Sequence, residues 1–479
     1  MERKHTALAE PSYYCHATIT AGPQTVPEIA CRVYLPDRVD GEIRVVLSPT
    51  DPQASQMEHL FEFQLSAEIA ATSIESRTSY VLHSSRPSWG SYSPGTTIEC
   101  EPRDLRIVHR LSGGEAPPQQ TRFVFWTTKN RALARGRIRK PLLDGSVEIQ
   151  RGAPLRCLAQ PNLELTFDVH YHTAHVQDTF VQWTQPIIET ASEVPAHDIE
   201  RTAAEILPVV DDVLLLASLA ARHRTVCVGW TASDSSTLTT YYRRDVSPPE
   251  IQEAESNELV RRWLSQEFLD VAYAAFAALP DKQAVRRAIW AVVPGHFAIF
   301  DESYLALFAG LEDLVSAFRR QTDLRNIFRN SAWRTVLQRL EGSIDALGPL
   351  ASAQQRAWML EKLPELNSVP LRAAFAEFCR MHNIVTDDLW PLFEMANDGI
   401  GLARIRNRLI HGQGYPIEQF GSLVIAKQHL RWTLERMLLA LLTWPTEKSY
   451  VHPEQLARVF KPHLEWRSAR ANLTTALRT

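Results

Sequence analysis

A chain of 479 residues exceeds the roughly 250 to 300 at which one hydrophobic core stops growing, so two or three domains are expected. With 45% hydrophobic, 22% charged and 9% aromatic residues, and no repeat or low-complexity tract, the composition excludes a wholly disordered or fibrous protein. The net charge of -4 excludes a general polycation that coats nucleic acid, so any such contact must come from a local patch.

From about residue 13 to 190 the sequence consists of short apolar or alternating runs broken by Gly, Pro, Ser and Asp: IACRVYL, EIRVVLS, LFEFQLS, RFVFW and LELTFDVHYH. These predict a β-rich domain over residues 1–195. The period then changes: Ile199, Ala203, Ile206, Leu207, Val210, Leu214 and Leu215 recur every three to four residues behind a cap at His197 or Asp198, which predicts a long amphipathic helix. VCVGWTA and a polar stretch ending in Ser247-Pro248-Pro249 read as a connection, and residues 196–288 as a helical connector region. Helices are predicted at about 250–279, 283–293, 301–321, 328–346, 353–381, 397–411 and 416–443. The stripes Tyr304, Leu305, Leu307, Phe308, Leu311, Leu314, Val315, Phe318 and Leu423, Ala426, Leu430, Leu434, Met437, Leu438, Leu441 mark the core of a bundle. The fold class expected is α+β, with an all-α domain over 289–450 and a partly helical tail over 451–479.

Six cysteines, Cys15, Cys31, Cys100, Cys157, Cys227 and Cys379, lie far apart without a C-x-x-C pair, which suits a reduced compartment. The N-terminus lacks the apolar stretch of a secretory signal, and the most apolar run, Met437 to Trp444, is far short of the ~20 residues that span a bilayer. A cytoplasmic protein that does not enter a membrane is expected.

The string that carries chemistry is GLARIRNRLIHG, Gly401 to Gly412. Leu402, Ile405 and Leu409 give a helix its apolar face, while Arg404, Arg406 and Arg408 crowd positive charge into one short stretch. Asn407 and His411 fall one turn apart on one face, and Arg406 stands beside them with a side chain long enough to converge there. Gly412 is a natural helix C-cap, which leaves His411 at the C-terminal end, where the dipole favours an imidazolium. A cationic His beside an Arg suits a phosphate. In RNA cleavage without metal, a guanidinium can hold two oxygens of the phosphorane, electrostatic help of about 3 to 4 kcal/mol for one donor. Imidazole can pass the proton, typically for about 10²- to 10⁴-fold in rate. Asn407 can orient the His or donate to a non-bridging oxygen.

The R-N-x-x-x-H arrangement of Arg406, Asn407 and His411, followed by Gly412 and a long helix, resembles the signature of HEPN (higher eukaryote and prokaryote nucleotide-binding) domains. The β-rich first half, the middle helix and FAIFDESYLALFAGLEDLV leading into the bundle resemble more narrowly the ApeA-like anti-phage proteins. The resemblance implies a helical HEPN domain that cleaves RNA without metal or cofactor, Arg406, Asn407 and His411 being catalytic. It implies a homodimer or higher oligomer, because one motif supplies half of the usual site. It also implies RNA as substrate, transfer RNA included, and an anti-phage role with a phage-derived trigger at the N-terminal domain. Glu312, mid-helix among apolar residues, and Arg408 are supporting candidates.

Other constellations compete. In Asp168-Val169-His170-Tyr171-His172-Thr173-Ala174-His175, His170 and His172 share a strand face and His175 can return from a following turn, giving three imidazoles with zinc spacing. Where the metallo-β-lactamase string they resemble has Asp, this chain has Ala174. The densest basic run is Lys129, Arg131, Arg135, Arg137, Arg139 and Lys140; its Arg135, Arg137 and Arg139 form a candidate phosphate-binding patch. No phosphate-binding loop and no G-x-S-x-G elbow occur. Two readings therefore stand beside the ribonuclease: a non-catalytic HEPN adaptor binding nucleotide or protein, and a metallohydrolase centred on His170, His172 and His175.

Overall fold

A computed structural model describes residues 12–35, 43–63, 66–75, 77–87, 97–111, 121–130, 133, 138–141, 147–150, 154–176, 179–192, 198–233, 237–243, 258–293, 299–394, 399–460 and 465–476. The chain is α+β and divides into two units, Met1–Glu258 with Arg262–Tyr273, and Leu259–Arg261 with Ala274–Thr479.

The first unit begins with β1 (Ser12–Ala21), β2 (Gln24–Tyr34), β3 (Arg44–Ser48), α1 (Asp51–Phe63), β4 (Ala67–Ser73), β5 (Thr78–Pro87) and β6 (Ile98–Glu101). Their order β5-β4-β1-β2-β3-β6, with β6 also pairing β5, closes a six-stranded antiparallel barrel. Period-2 alternation fills it: Cys15, Ala17, Ile19 and Ala21 of β1, Ile29, Cys31 and Val33 of β2, and Val45 and Leu47 of β3 are all buried. The string LFEFQLS is corrected here. Its first four residues close α1, because Ala54, Met57 and Leu60 recur at helical spacing and are buried.

The sheet then runs out from the barrel. It adds β7 (Asp104–Arg110), β8 (Thr121–Thr127), β11 (Leu155–Gln160), β12 (Leu163–Val176) and β13 (Thr179–Ser192), while β9 (Ile138–Pro141) and β10 (Val147–Gln150) pair separately. α2 (Ile199–Ala221) follows, buried all round from Val213 to Ala221. The helical-connector reading of 196–288 is corrected: β14 (Cys227–Ser233) and β15 (Thr237–Arg243) enter the sheet between β8 and β7. Cys227, Val228, Gly229 and Trp230 are buried in succession, which erases the alternation that betrays a strand. Gly229 is obligatory, since a Cβ would lie 2.3 Å from the Tyr241 carbonyl oxygen and 2.8 Å from the Trp126 ring.

α3 (Ser265–Ala278) crosses the division between units. The second unit holds α4 (Lys282–Val292), α5 (Phe300–Gln321), α6 (Asn330–Asp345), α7 (Ala353–Lys362), α8 (Leu371–Met381), α9 (Leu402–Ile410), α10 (Phe420–Leu441), α11 (Pro453–Val459) and α12 (Trp466–Ala476). The expected stripes are the core of α5 and α10, with Tyr304, Phe308, Leu311, Val315, Leu430, Leu434 and Met437 buried. The single helix expected over 353–381 is two: Pro364 follows the end of α7 and Pro370 caps the start of α8. The segment expected as a partly helical tail is helical at α11 and α12, and α12 is not a loose end. α12 packs on α10, and its Trp466, Ala469, Arg470 and Leu473 are buried. No helix among the described residues is long and apolar enough to cross a membrane.

Candidate active site

α9 carries the motif, and its geometry is imposed from both ends. At the N-terminus the amides of Leu402 and Ala403 donate to the carbonyls of Pro391 (3.0 Å) and Leu392 (2.9 Å), which satisfies two groups a helix start normally leaves open. Gly401 allows that approach: a Cβ there would meet Leu392 O, Phe393 C and Glu394 N at 2.8 to 2.9 Å. Leu402 and Ile405 are fully buried, and Tyr304 of α5 donates its hydroxyl to Leu402 O at 2.9 Å. Burial, with Tyr415 nearby, drives the Tyr304 phenol far above its ordinary pKa, so it acts as a fixed donor.

At the C-terminus, Gly412 N–H donates to Leu409 O (3.1 Å) and Gln413 N–H to Arg408 O (2.9 Å), with Gly412 at φ 65°. This is a Schellman closure, and it leaves His411 as the last residue before the left-handed glycine. Arg408 closes the turn from the side, donating to Gly414 O at 3.2 Å with its guanidinium 5.1 Å from the Tyr415 ring centroid. It therefore braces the turn after the helix. Burial raises Tyr415 to about 12, partly offset by Arg408 and Arg404.

The other motif residues face outward. Arg406 is half-buried: Nη2 donates to Glu312 Oε2 at 3.2 Å, Nη1 to Asn407 Oδ1 at 3.1 Å, and the guanidinium carbon lies 5.5 Å from the Phe308 ring centroid. Two of its five N–H donors are thus engaged among the described residues, leaving three for a ligand. Asn407 and His411 are exposed. One turn separates them, about 6 Å along the axis and about 40° around it. The His411 side chain makes no hydrogen bond or ion pair among the described residues. Glu312, a candidate from sequence as an acid in the cleft or as a partner of Arg406, takes the second role: its carboxylate accepts from Arg406.

Sequence reasoning missed several contributors. Arg470 of α12, only 6% exposed, donates Nε to Ile400 O (2.8 Å) and Nη2 to Gly399 O (3.0 Å), and Trp390 Nε1 shares the Ile400 carbonyl at 3.0 Å. Thr474 Oγ1 accepts from Ile400 N at 3.2 Å. The C-terminal helix thus clasps the segment leading into α9. Lys427 of α10 donates to Ser303 Oγ at 3.3 Å over the Phe300 ring; burial, helped by Arg431, lowers its pKa. Phe308 and Tyr304 were visible as stripe residues, whereas nothing in the sequence marks Arg470.

The rival sites fare differently. β12 continues as strand through His175 to Val176, pairing Thr173 to Val176 with Gln182 to Thr179, so the turn expected to bring His175 back is absent. His170 Nε2 lies 3.3 Å from Glu189 Oε1, and the side chains of His172 and His175 lie outside the described residues. No group of three metal-ligating side chains occurs among the described residues. Arg135 and Arg137 also lie outside them, and of Arg139 only its backbone place on β9 is described. Compared with models of protein families, with curated proteins and with solved structures, the chain has no significant match in any of the three.

Proposed function

We infer that this chain is a metal-independent endoribonuclease of the HEPN type, with Arg406 stabilising the phosphorane, His411 moving the proton and Asn407 orienting. One observation carries the reading. Arg406 is held by a carboxylate, an amide and an aromatic ring, retains three donors, and lies on the same short helix whose fixed C-terminal end carries the exposed His411. In the reaction the 2'-oxygen bonds to phosphorus and gives its proton to a base, while the bond to the 5'-oxygen breaks and that oxygen takes a proton. The products are a 2',3'-cyclic phosphate and a 5'-hydroxyl. One imidazole cannot accept and donate in the same step, so two copies of the motif facing one another in a homodimer complete the site. In this reading the β-rich unit regulates the nuclease on a phage-derived trigger, and RNA cleavage, transfer RNA included, arrests growth in defence against phage.

The test uses wild type, Arg406→Ala and His411→Ala, purified and in phage-infected cells, with folding and oligomeric state measured in parallel. Expected are folded variants that have lost RNA cleavage and phage restriction, by about 10²- to 10³-fold in rate for Arg406→Ala. A wild type that binds nucleotide or protein but yields no RNA product with or without phage leaves the adaptor. Cleavage that survives both substitutions and stops on chelation moves the chemistry to the β12 histidines.

A further inference from the structure

Between Arg319 and Arg339 the chain has six arginines against a single acidic residue, Asp323, in a protein of net charge -4. Two are engaged internally: Arg320 pairs with Asp281 at 2.7 Å, and Arg319 donates to Ser368 Oγ. The other four, Arg325, Arg329, Arg334 and Arg339, are exposed, and their side chains make no hydrogen bond or ion pair among the described residues. Four exposed guanidiniums within 15 residues of chain, none in an ion pair among the described residues, make a locally cationic segment that an external polyanion can neutralise.

The run also holds a ring. Phe328 is 40% exposed and stacks on Trp333 with centroids 6.2 Å apart and planes 14° from parallel. Its backbone is fixed by Asn367, which is 5% exposed: Asn367 Oδ1 accepts from Phe328 N (2.8 Å), its Nδ2 donates to Phe328 O (3.2 Å), and its carbonyl accepts from Ile327 N (2.7 Å). Val369 N donates to Arg325 O at 3.4 Å. A structured strap, rather than a loose loop, therefore presents the ring between cations. α6, which carries Arg334 and Arg339, contributes no buried residue, so these charges are not a by-product of core packing.

We propose that Arg325 to Arg339 is a binding surface for single-stranded RNA, the arginines taking successive phosphates and Phe328 stacking a base. Cations interleaved with an exposed, stacked ring match a chain in which phosphates and flat bases alternate at every residue, a regularity that an acidic protein surface does not have. The choice of RNA rests on the ribonuclease reading, and the surface adds a second contact to it. α5 carries Glu312, the anchor of Arg406, and ends at Gln321, nine residues and about 14 Å further along its axis, close to where the arginine run begins. One strand can engage both.

The experiment is fluorescence anisotropy on the full chain carrying His411→Ala, so that RNA is not consumed, with a labelled single strand of about 20 nucleotides between about 50 and 200 mM salt. Adding Arg325→Ala, Arg329→Ala and Arg334→Ala together is expected to raise Kd at least about tenfold and to lower the log–log salt slope by about 2, since each phosphate on a single strand contributes about 0.7. Phe328→Ala weakens binding about tenfold and leaves the slope alone. The triple change to Lys keeps the slope, and the triple change to Gln replaces the alanine variant should that fail to fold. Unchanged affinity and slope in the triple variant overturn the proposal even if wild type cleaves RNA. So does a change in oligomeric state with RNA affinity intact, which makes the surface a contact between copies. Lost binding in the triple variant beside a wild type that never cleaves RNA sustains this surface and sinks the ribonuclease reading instead.

Discussion

Glu312→Ala separates what holds the site from what holds the fold. The Glu312 and Arg406 side chains are 34% and 30% exposed and share one bond of 3.2 Å. A pair so placed contributes about 0.2 to 1 kcal/mol to stability, because water screens it and two side chains are ordered to make it. Its loss should shift Tm by no more than about 2 to 4 °C. The effect on rate is expected to be larger. Without the carboxylate, Arg406 keeps only Asn407 Oδ1 and the Phe308 face, and a displacement of about 1 Å in a catalytic group costs about 100-fold, or about 2.7 kcal/mol of barrier. Glu312→Gln, which retains an acceptor oxygen, should restore most of that.

The assay is single-turnover RNA cleavage by wild type, Glu312→Ala, Glu312→Gln, Arg406→Ala and the Glu312→Ala, Arg406→Ala double variant, with urea unfolding of each. If Glu312 acts through Arg406, the double variant is no slower than Arg406→Ala alone, because residues acting as a unit are not additive. A Glu312→Ala enzyme at wild-type rate, or a double variant whose loss is the product of the single losses, refutes the positioning role. A stability loss above about 3 kcal/mol makes Glu312 a structural residue instead.

Two further outcomes follow from the same unit. Arg470→Met removes two buried, charge-assisted bonds to Gly399 and Ile400, leaving Ile400 O with Trp390 only; a loss of about 2 to 4 kcal/mol in urea unfolding is expected together with slower cleavage, and a loss under about 1 kcal/mol denies α12 its role as a clasp. Burial lowers the folded pKa of Lys427, so in the alkaline window between that value and the ordinary lysine value the unfolded chain binds more protons and stability rises with pH. Lys427→Met should flatten that rise in a series of Tm measurements, and an equally steep profile in the variant rules the linkage out.

The parts of this protein legible in its sequence are those whose signal is local. α5 and α10 are long and periodic, so Tyr304 to Phe318 and Leu423 to Met437 gave their faces away. Asn407 and His411 are four positions apart, so their sharing one face follows from helical pitch alone, and Arg406 is the residue before Asn407. Illegible parts depend on partners far along the chain. The barrel closes through β5 and β6, a pairing no local pattern states. β14 is buried on both faces and loses its alternation, and the end of α1 was mistaken for strand because Leu60, Phe61 and Phe63 alternate as well as recur. Arg470 meets Ile400 across 70 positions, whereas Glu312 could be named as a partner for Arg406 only because it is a lone carboxylate mid-helix on an apolar segment.

The nine residues of α9 are too few for a helix to persist in water by itself, and its Gly401 cap supplies no side-chain hydrogen bond. Its shape is therefore set by residues outside the motif: Pro391 and Leu392 carbonyls at one end, the Gly412 turn braced by Arg408 at the other, Tyr304 and Glu312 from α5 along its flank. The consequence is a division of labour. Leu402 and Ile405 anchor the helix in the core, which leaves the side chains of Asn407 and His411 in solvent, Asn407 accepting from Arg406. A polar pair so exposed contributes little to stability, and a phosphate that bound only there would stay in water, where each charge interaction is weak. Catalysis by such a helix requires a second surface to exclude that water, and in the proposed homodimer a second copy of the same helix would provide both the surface and the other imidazole.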